Sequence, residues 1–204
     1  MRLNKFLAQS SVASRRKADE LIQMATTEVN GKICLDPAYN VKETDVVKYD
    51  GQKIKPVREK VVIMLHKPKK VITTVKDTHG RKTVLDIVPS KFRLTPVGRL
   101  DQDTTGLLLL TNDGDLHQHL THPRNRIPKD YEAVIEGKIT SSQKQKLTKG
   151  IYIGDKEYGK AEIISQETKK SRSTIILRLR QGKKREIRRI MYRFKLKLLT
   201  LKRI

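Results

Sequence analysis

Apolar and polar positions alternate along the chain in blocks that predict short helices and short strands. Leu3, Phe6 and Leu7 share one face of a short helix, and Ala18, Leu21 and Ile22 mark a second, with Ser14 placed to cap it. Val29-Asn30-Gly31-Lys32 reads as a strand running into a tight turn, and residues 45–49 as another strand. Residues 51–60, GQKIKPVREK, are polar, basic and interrupted by Pro56, which predicts a linker. Strand signals resume at residues 61–65 and 71–74, and a short helix is expected over 83–88, ending at Pro89. Leu107–Leu110 reads as a buried strand, preceded by an ordered loop that includes Gly106 and closed by an Asn112-Asp113-Gly114 turn. One or two helical turns are expected over 116–120. Residues 131–136 and 173–180 alternate as strands do, with a polar helix near 141–149 between them. Helices and strands mix without regular βαβ alternation, which predicts an α+β fold.

The last helix is the most informative element. Ile187, Ile190, Met191 and Phe194 follow i, i+3, i+4, i+7 spacing, an apolar stripe that must face a core. At 100° per residue, Arg188 lies roughly 110° from the centre of that stripe, the best placed of its arginines to enter a cleft at the domain edge. Arg185, Arg189 and Arg193 lie further round or on the opposite flank, and are expected to meet solvent or phosphate.

Charge narrows the partner. The chain has 204 residues, enough for one ordinary domain plus a small one, and carries a net charge of +23. The excess is uneven: residues 1–60 hold 12 basic and 8 acidic groups, whereas residues 169–204 hold 15 basic groups and one acid, Glu186. Such a field attracts a polyanion and makes its binding salt-dependent. A basic helix lying on a membrane should carry a broad apolar face with aromatic anchors. Aromatic residues are only 4% and tryptophan is absent, so nucleic acid is favoured over anionic membrane. There is no apolar run long enough to span a bilayer and no secretory h-region, and the lone Cys34 excludes an intramolecular disulfide or a cysteine-cluster zinc site. These features point to the cytoplasm.

Three groups of residues invite chemistry. Arg15, Arg16 and Lys17 fall in the first turn of the helix capped by Ser14, where cations oppose the helix dipole. The arrangement makes sense if a phosphate occupies that helix N-terminus, held by backbone N–H groups and flanking cations. His117, His119 and His122 are close in sequence, but their spacing fits no single helical face and no Cys or Glu completes a ligand set, so no metal is expected. In GRLDQDTTGLLLLTNDGD, residues 98–115, Arg99 and Asp101 stand near the mouth of the Leu107–Leu110 strand. By themselves these residues leave two readings open, a loop closed by a capping aspartate or a carboxylate facing a cleft. Asp101 and Asp103 together are only weak support for paired-carboxylate glycosidic chemistry.

The run VGRLDQDTTGLLLLTNDG, with HKPKKVITT before it, PKDYEAVIEG after it and GKKREIRRIM near the end, resembles the bacterial ribosomal-RNA pseudouridine synthases of the RsuA and RluB type. Residues 2–31 are similar to the alpha-L RNA-binding domain of the kind in ribosomal protein S-four. The resemblance implies an alpha-L domain over 1–50, a linker over 51–60, and over 61–204 a catalytic domain built on a mixed, mainly antiparallel sheet. It implies an enzyme that converts uridine to pseudouridine without cofactor or metal. Asp101 matches the catalytic aspartate, which starts cleavage of the glycosidic bond of a flipped-out uridine, either by attacking the ribose or by removing a ribose proton. That role needs an ionised carboxylate, and Arg188 matches the cation expected beside it. Tyr131 matches the tyrosine that stacks on the uracil. Arg99 is a candidate for contacting phosphate or filling the space the base vacates, and Asp103 is expected to be structural. RNA contacts are expected from Arg15, Arg16, Lys17, Arg99, Arg185, Arg189 and Arg193.

The implied partner is ribosomal RNA or a pre-ribosomal particle, met by a monomeric protein with no membrane role. DTHGRKTVLD and GKKREIRRIM look closer to the large-subunit RluB type than to the small-subunit RsuA type; a non-catalytic rRNA-binding factor on the same scaffold is the reading of a different class. The chain departs from the family at Ala25 and Lys70, where glycine is frequent, and at Thr27, where valine is common. Members usually continue past an Arg-Ile pair with a glycine, another strand and a basic ending. This sequence stops at Lys202-Arg203-Ile204, so its catalytic domain is expected to be shortened there.

Overall fold

The computed structural model describes residues 1–204, which fall into two compact units. The first comprises residues 1–61 with the short segments 91–93 and 112–114. Its helices are α1 (Leu3–Gln9) and α2 (Arg15–Gln23), and its strands β1 (Thr27–Val29), β2 (Lys32–Ile33), β3 (Val47–Tyr49) and β4 (Gln52–Lys53). The strands form an antiparallel sheet in the order β2-β1-β3-β4. Leu3, Leu7, Ala18 and Ile22 bring the apolar stripes of both helices onto Val29, Val41 and Val47. Ser14 caps α2 as its side chain accepts the Lys17 N–H at 3.2 Å. The β1–β2 turn places Asn30 and Gly31 at positive φ, as a two-residue hairpin requires.

The segment expected as a linker is partly structured. Residues 52–53 are β4, paired with β3; Ile54 packs on the core and the Val57 N–H bonds the Gln9 carbonyl. Alternating polar residues conceal this strand because both of its side chains are exposed.

Two departures from the family pattern have structural consequences here. Ala25 adopts φ 60°, a left-handed conformation that costs a non-glycine residue about 1 kcal/mol. Thr27 is fully buried and its Oγ1 meets no hydrogen-bond partner. Thr27→Val should therefore stabilise the protein by about 1 kcal/mol, by removing an unsatisfied buried hydroxyl at constant volume. Ala25→Gly should gain less, because glycine also frees the unfolded chain. Urea denaturation of the two variants checks both the sign and the order.

The second unit holds the larger sheet. Its strands are β5 (Val62–Lys67), β6 (Thr95–Pro96), β7 (Thr105–Thr111), β8 (Lys129–Glu136), β9 (Ile151–Gly154), β10 (Glu157–Gly159), β11 (Glu162–Lys169), β12 (Arg172–Leu179) and β13 (Leu198–Arg203). Helices α3 (Gly114–Thr121), α4 (Ser141–Lys149) and α5 (Glu186–Arg193) intervene. The order is β11-β12-β8-β13-β7-β5, with β6 also on β7 and the β9–β10 hairpin separate. Every pairing is antiparallel except β13 with β7, so the fold is α+β. Ile187, Ile190 and Met191 of α5 pack on Ala133, Ile135, Ile175, Leu177 and Leu201 of the sheet, so the apolar stripe faces a core. On the sheet, Arg178 of β12 clasps Asp130 of β8 with bonds of 2.9 and 2.8 Å. The guanidinium holds the Asp130 carboxyl below the usual carboxylate range, so the pair supports folding above that range and less as pH falls through the lowered value.

Three local expectations are corrected. Residues 71–74 form no strand; only Ile72 makes an isolated bridge, to Thr83. Residues 83–88 form no helix, because the Asp86 carboxylate takes the N–H and hydroxyl of Thr83 while the Val84 N–H bonds the Ile72 carbonyl. Gly106 belongs to β7 rather than to the loop before it. Its φ is +104°, and a Cβ there would lie 2.0 Å from the Arg203 carbonyl oxygen. Only glycine lets β13 pair at that point.

Gly106→Ala should cost about 3 kcal/mol or more, combining steric overlap with backbone strain. Gly98→Ala, at φ +76° with nothing within 4 Å, should cost only about 1 kcal/mol. Comparing their urea midpoints separates close approach from conformation alone.

Candidate active site

Asp101 sits in the loop between β6 and β7, and the backbone on either side of it is clamped. The Thr73 hydroxyl donates to the Leu100 carbonyl at 2.9 Å and accepts the Leu100 N–H at 3.2 Å. On the other side, the Gln102 carbonyl accepts the Lys70 N–H at 3.0 Å and Lys67 Nζ at 3.3 Å, and the Thr104 N–H closes a turn on the Asp101 carbonyl. Residues 71–74 thus serve as a brace where a strand was expected. Lys70 holds its place at φ 66°, the conformation for which the family's frequent glycine is suited.

The carboxylate so positioned faces the start of α5. Arg188 Nε lies 3.4 Å from Asp101 Oδ2, and Arg185 Nη1 lies 3.8 Å from the same oxygen. Arg188 also donates to the buried Thr104 hydroxyl at 3.3 Å, while its own buried Nε makes no aligned hydrogen bond. The Asp101 side chain is one-third exposed, held by charge and open on one side. Tyr131 of β8 lines the same cleft, as do Arg99, Leu179 and Leu201; the space measures about 460 Å³ counted out to its open mouth. Burial pushes the Tyr131 phenol above its ordinary value, with Arg203 opposing, so the ring is neutral at physiological pH.

The structure therefore brings Asp101, Tyr131, Arg188, Arg185 and Arg99 to one cleft. Asp103 is exposed and does not line it. Arg189 is corrected: it is committed to internal bonds, with Nε on the Ile153 carbonyl at 2.9 Å, Nη2 on the Gly154 carbonyl at 2.8 Å and Nη1 on Glu157 at 2.6 Å. The helical wheel located Arg189 on the outer flank, but the β9–β10 hairpin folds over that flank. Arg193 is exposed, 5.4 Å from the centroid of the Tyr152 ring. Arg15, Arg16 and Lys17 are exposed in the first unit, with Lys17 paired to Glu20 at 2.7 Å. His117, His119 and His122 belong to no group of three or more His, Cys, Asp or Glu side chains placed to hold a metal ion.

Two buried charges that build the site went unassigned. Glu186 accepts from the Lys160 and Lys183 N–H groups and, at 2.6 Å, from Gln181, which ties the loop before α5 to the helix start and aims Arg185 and Arg188. Burial raises its carboxyl, and those donors pull it back. Its signal was its isolation as the only acid among residues 169–204. Lys67 is fully buried and its ammonium donates to the carbonyls of Pro68 (2.8 Å), Val71 (2.7 Å) and Gln102 (3.3 Å). Burial lowers its pKa, and the Asp103 and Asp101 charges oppose that shift. Its signal was parity: Ile63, Leu65 and Lys67 occupy the inward positions of β5.

The family model described as RNA pseudouridylate synthase matches residues 61–192, and that of the S4 domain matches residues 1–47. The chain belongs to the RNA pseudouridylate synthase family. It is 39% identical over 205 residues to the Bacillus subtilis protein named ribosomal large subunit pseudouridine synthase B, covering 99% of this chain and 84% of that one. It is 34% identical to the dual-specificity RNA pseudouridine synthase RluF of Escherichia coli, covering 95% and 66%. A crystal structure of a pseudouridylate synthase superposes with a TM-score of 0.67 at 24% identity, covering 100% of this chain and 87% of the other, and shares its fold. No helix in this family member is long and apolar enough to cross a membrane.

Replacing the buried ammonium tests the clamp. Lys67→Met should destabilise the protein by about 2 kcal/mol or more, because the Pro68 and Val71 carbonyls lose this donor and the Gln102 carbonyl is left with the Lys70 N–H. Equal or greater stability in urea would mean that the cost of burying the charge outweighs those bonds.

Proposed function

We propose that this family member isomerises uridine to pseudouridine in ribosomal RNA, and that its substrate is RNA of the large subunit. The observation that carries the reading is the Asp101 carboxylate, braced through its backbone, facing Arg188 and Arg185 in a cleft lined by Tyr131. Binding RNA needs cations but no carboxylate among them, which favours an enzyme over an assembly factor. The large-subunit assignment is supported by the name of the Bacillus subtilis relative, aligned over nearly the whole of this chain.

On this reading a uridine leaves the RNA stack and enters the cleft. Asp101 starts the reaction at the ribose, either by attack, forming an ester at C1′ that breaks again when C5 bonds there, or by removing a ribose proton that it later returns, and the bond between C1′ and N1 breaks. The uracil turns against Tyr131, C5 bonds to C1′, and the proton on C5 is lost while N1 gains one. Arg188, with Nε 3.4 Å from Oδ2, holds the carboxylate that the first step uses. Arg99, exposed at the rim, binds phosphate or fills the space the base vacates. The first unit supplies affinity through Arg15, Arg16 and Lys17 at the N-terminus of α2, whose first turn holds no acid. The enzyme on this reading is cytoplasmic and monomeric.

Asp101→Asn keeps the shape of the side chain and removes its charge. It should abolish tritium release from uridine labelled at carbon five in rRNA transcripts, while RNA affinity stays within about two-fold. Arg188→Met should cut the rate severely, whereas Asp103→Asn should hold it within a few-fold. Activity of Asp101→Asn close to the parent's would sink the assignment. Mapping pseudouridine in rRNA from cells with and without the gene locates the target, and a site in the small subunit would refute the large-subunit reading.

A further inference from the structure

The β9–β10 hairpin presents two tyrosines that the fold does not use. Tyr152 and Tyr158 are direct cross-strand partners, with ring centroids 5.6 Å apart at an interplanar angle of 64°. They remain 45% and 56% exposed in a chain with six tyrosines, three phenylalanines and no tryptophan. The hairpin is fixed by its other face. Ile153 is buried there, and a Cβ on Gly159 would meet Ile190 of α5 at 3.0 Å. The rings are therefore displayed on a rigid support.

The charges around the rings are sorted. The hairpin acids Asp155 and Glu157 both pair with Arg189, at 3.1 and 2.6 Å. Arg193 stands 5.4 Å from the Tyr152 ring centroid. The surface is also continuous with the cleft: Lys183 Nζ and Gln181 Nε2 donate to the Tyr158 carbonyl at 2.7 and 3.3 Å, and both residues line the pocket beside Asp101. Exposed aromatic faces with an arginine, next to a pocket for one nucleotide, have the chemistry that holds unpaired bases.

We propose that Tyr158 and the Tyr152–Arg193 pair form a stacking platform for unpaired RNA bases flanking the nucleotide in the cleft. The proposal rests on the chain being an RNA-acting enzyme, and it adds a second place where the RNA must be single-stranded. Stacked bases inside a duplex cannot offer their faces, so the platform selects loops, bulges and opened helices.

Binding tests it without turnover. The full chain is titrated with a fluorescein-labelled single-stranded RNA of about a dozen nucleotides and with a duplex of the same length, over a range of salt. Tyr158→Ala and Tyr152→Ala should each weaken single-strand binding roughly five- to thirty-fold and leave the salt slope unchanged, because stacking contributes without neutralising phosphate. Tyr158→Phe should bind within about two-fold of the parent, whereas Tyr158→Leu, which keeps bulk without a ring, should behave like alanine. Duplex binding should change by less than about two-fold in all of them. Single-strand affinity of Tyr158→Ala and Tyr158→Leu equal to the parent's, or equal losses on both RNAs, would overturn the platform. Thermal melting of Tyr158→Leu beside the parent separates loss of stacking from loss of folding. Were the chain to form no pseudouridine, the catalytic reading would fall while these titrations still decided the platform. Were it to form pseudouridine with unaltered single-strand affinity in the alanine variants, the platform alone would fall.

Discussion

The approach of β13 to β7 at Gly106 is the constraint on which the candidate site depends. The sheet consists of two antiparallel halves, β5–β7 with β6 and β8–β12–β11, and β13 is the only strand that joins them. Asp101 belongs to the first half, on the loop leading into β7. Tyr131 belongs to the second, and Arg188 to the helix packed on it. The seam therefore assembles the cleft, and the parallel pairing of Lys202 with Thr105 and Arg203 with Gly106 requires a residue without a Cβ. A carboxylate and its arginine 87 positions apart meet because one glycine admits one backbone.

Around that seam the protein uses buried charge as scaffolding. Lys67 and Glu186 have reversed chemistry, an ammonium that collects carbonyls and a carboxylate that collects N–H groups. Each ties an irregular segment in place: residues 68–71 and Gln102 around Lys67, and residues 181–183 and Lys160 around Glu186. Burial of an ion is tolerated where its hydrogen-bonding capacity is filled locally, and both groups meet that condition. Such anchors let the loops carrying Asp101 and Arg185 be irregular without being loose, as positioning a reacting group demands.

The strong basic charge divides in the same way. Part of it acts within the fold: Arg189 pins the hairpin, Arg178 clasps Asp130, and Arg188 faces Asp101. The rest, including Arg193, Arg99 and the first turn of α2, is left at the surface, where it can meet a polyanion. Net charge thus overstates how many arginines are available to RNA.

The sequence by itself determined the periodic elements and the family to which the central motif belongs. Helical stripes at Leu3–Leu7, Ala18–Ile22 and Ile187–Met191, and alternation over β8 and β12, were legible because side chains in regular elements report which face is buried. The family motifs around Asp101, Tyr131 and Arg188 were legible as well, and the wheel singled out Arg188 because its angle from the apolar stripe is a local quantity. Tertiary structure decided the remainder. Residues 71–74 and 83–88 look periodic, yet Thr73 and Asp86 spend their side chains on backbone groups, which local propensity does not weigh. Arg189 passed for a surface cation until a hairpin more than thirty residues upstream covered it. Gly106 looked like a loop glycine because the backbone that forbids a larger residue there lies nearly a hundred positions away. Pattern records what each residue does to its neighbours in the chain; who occupies the space above it is known only once the sheet has closed.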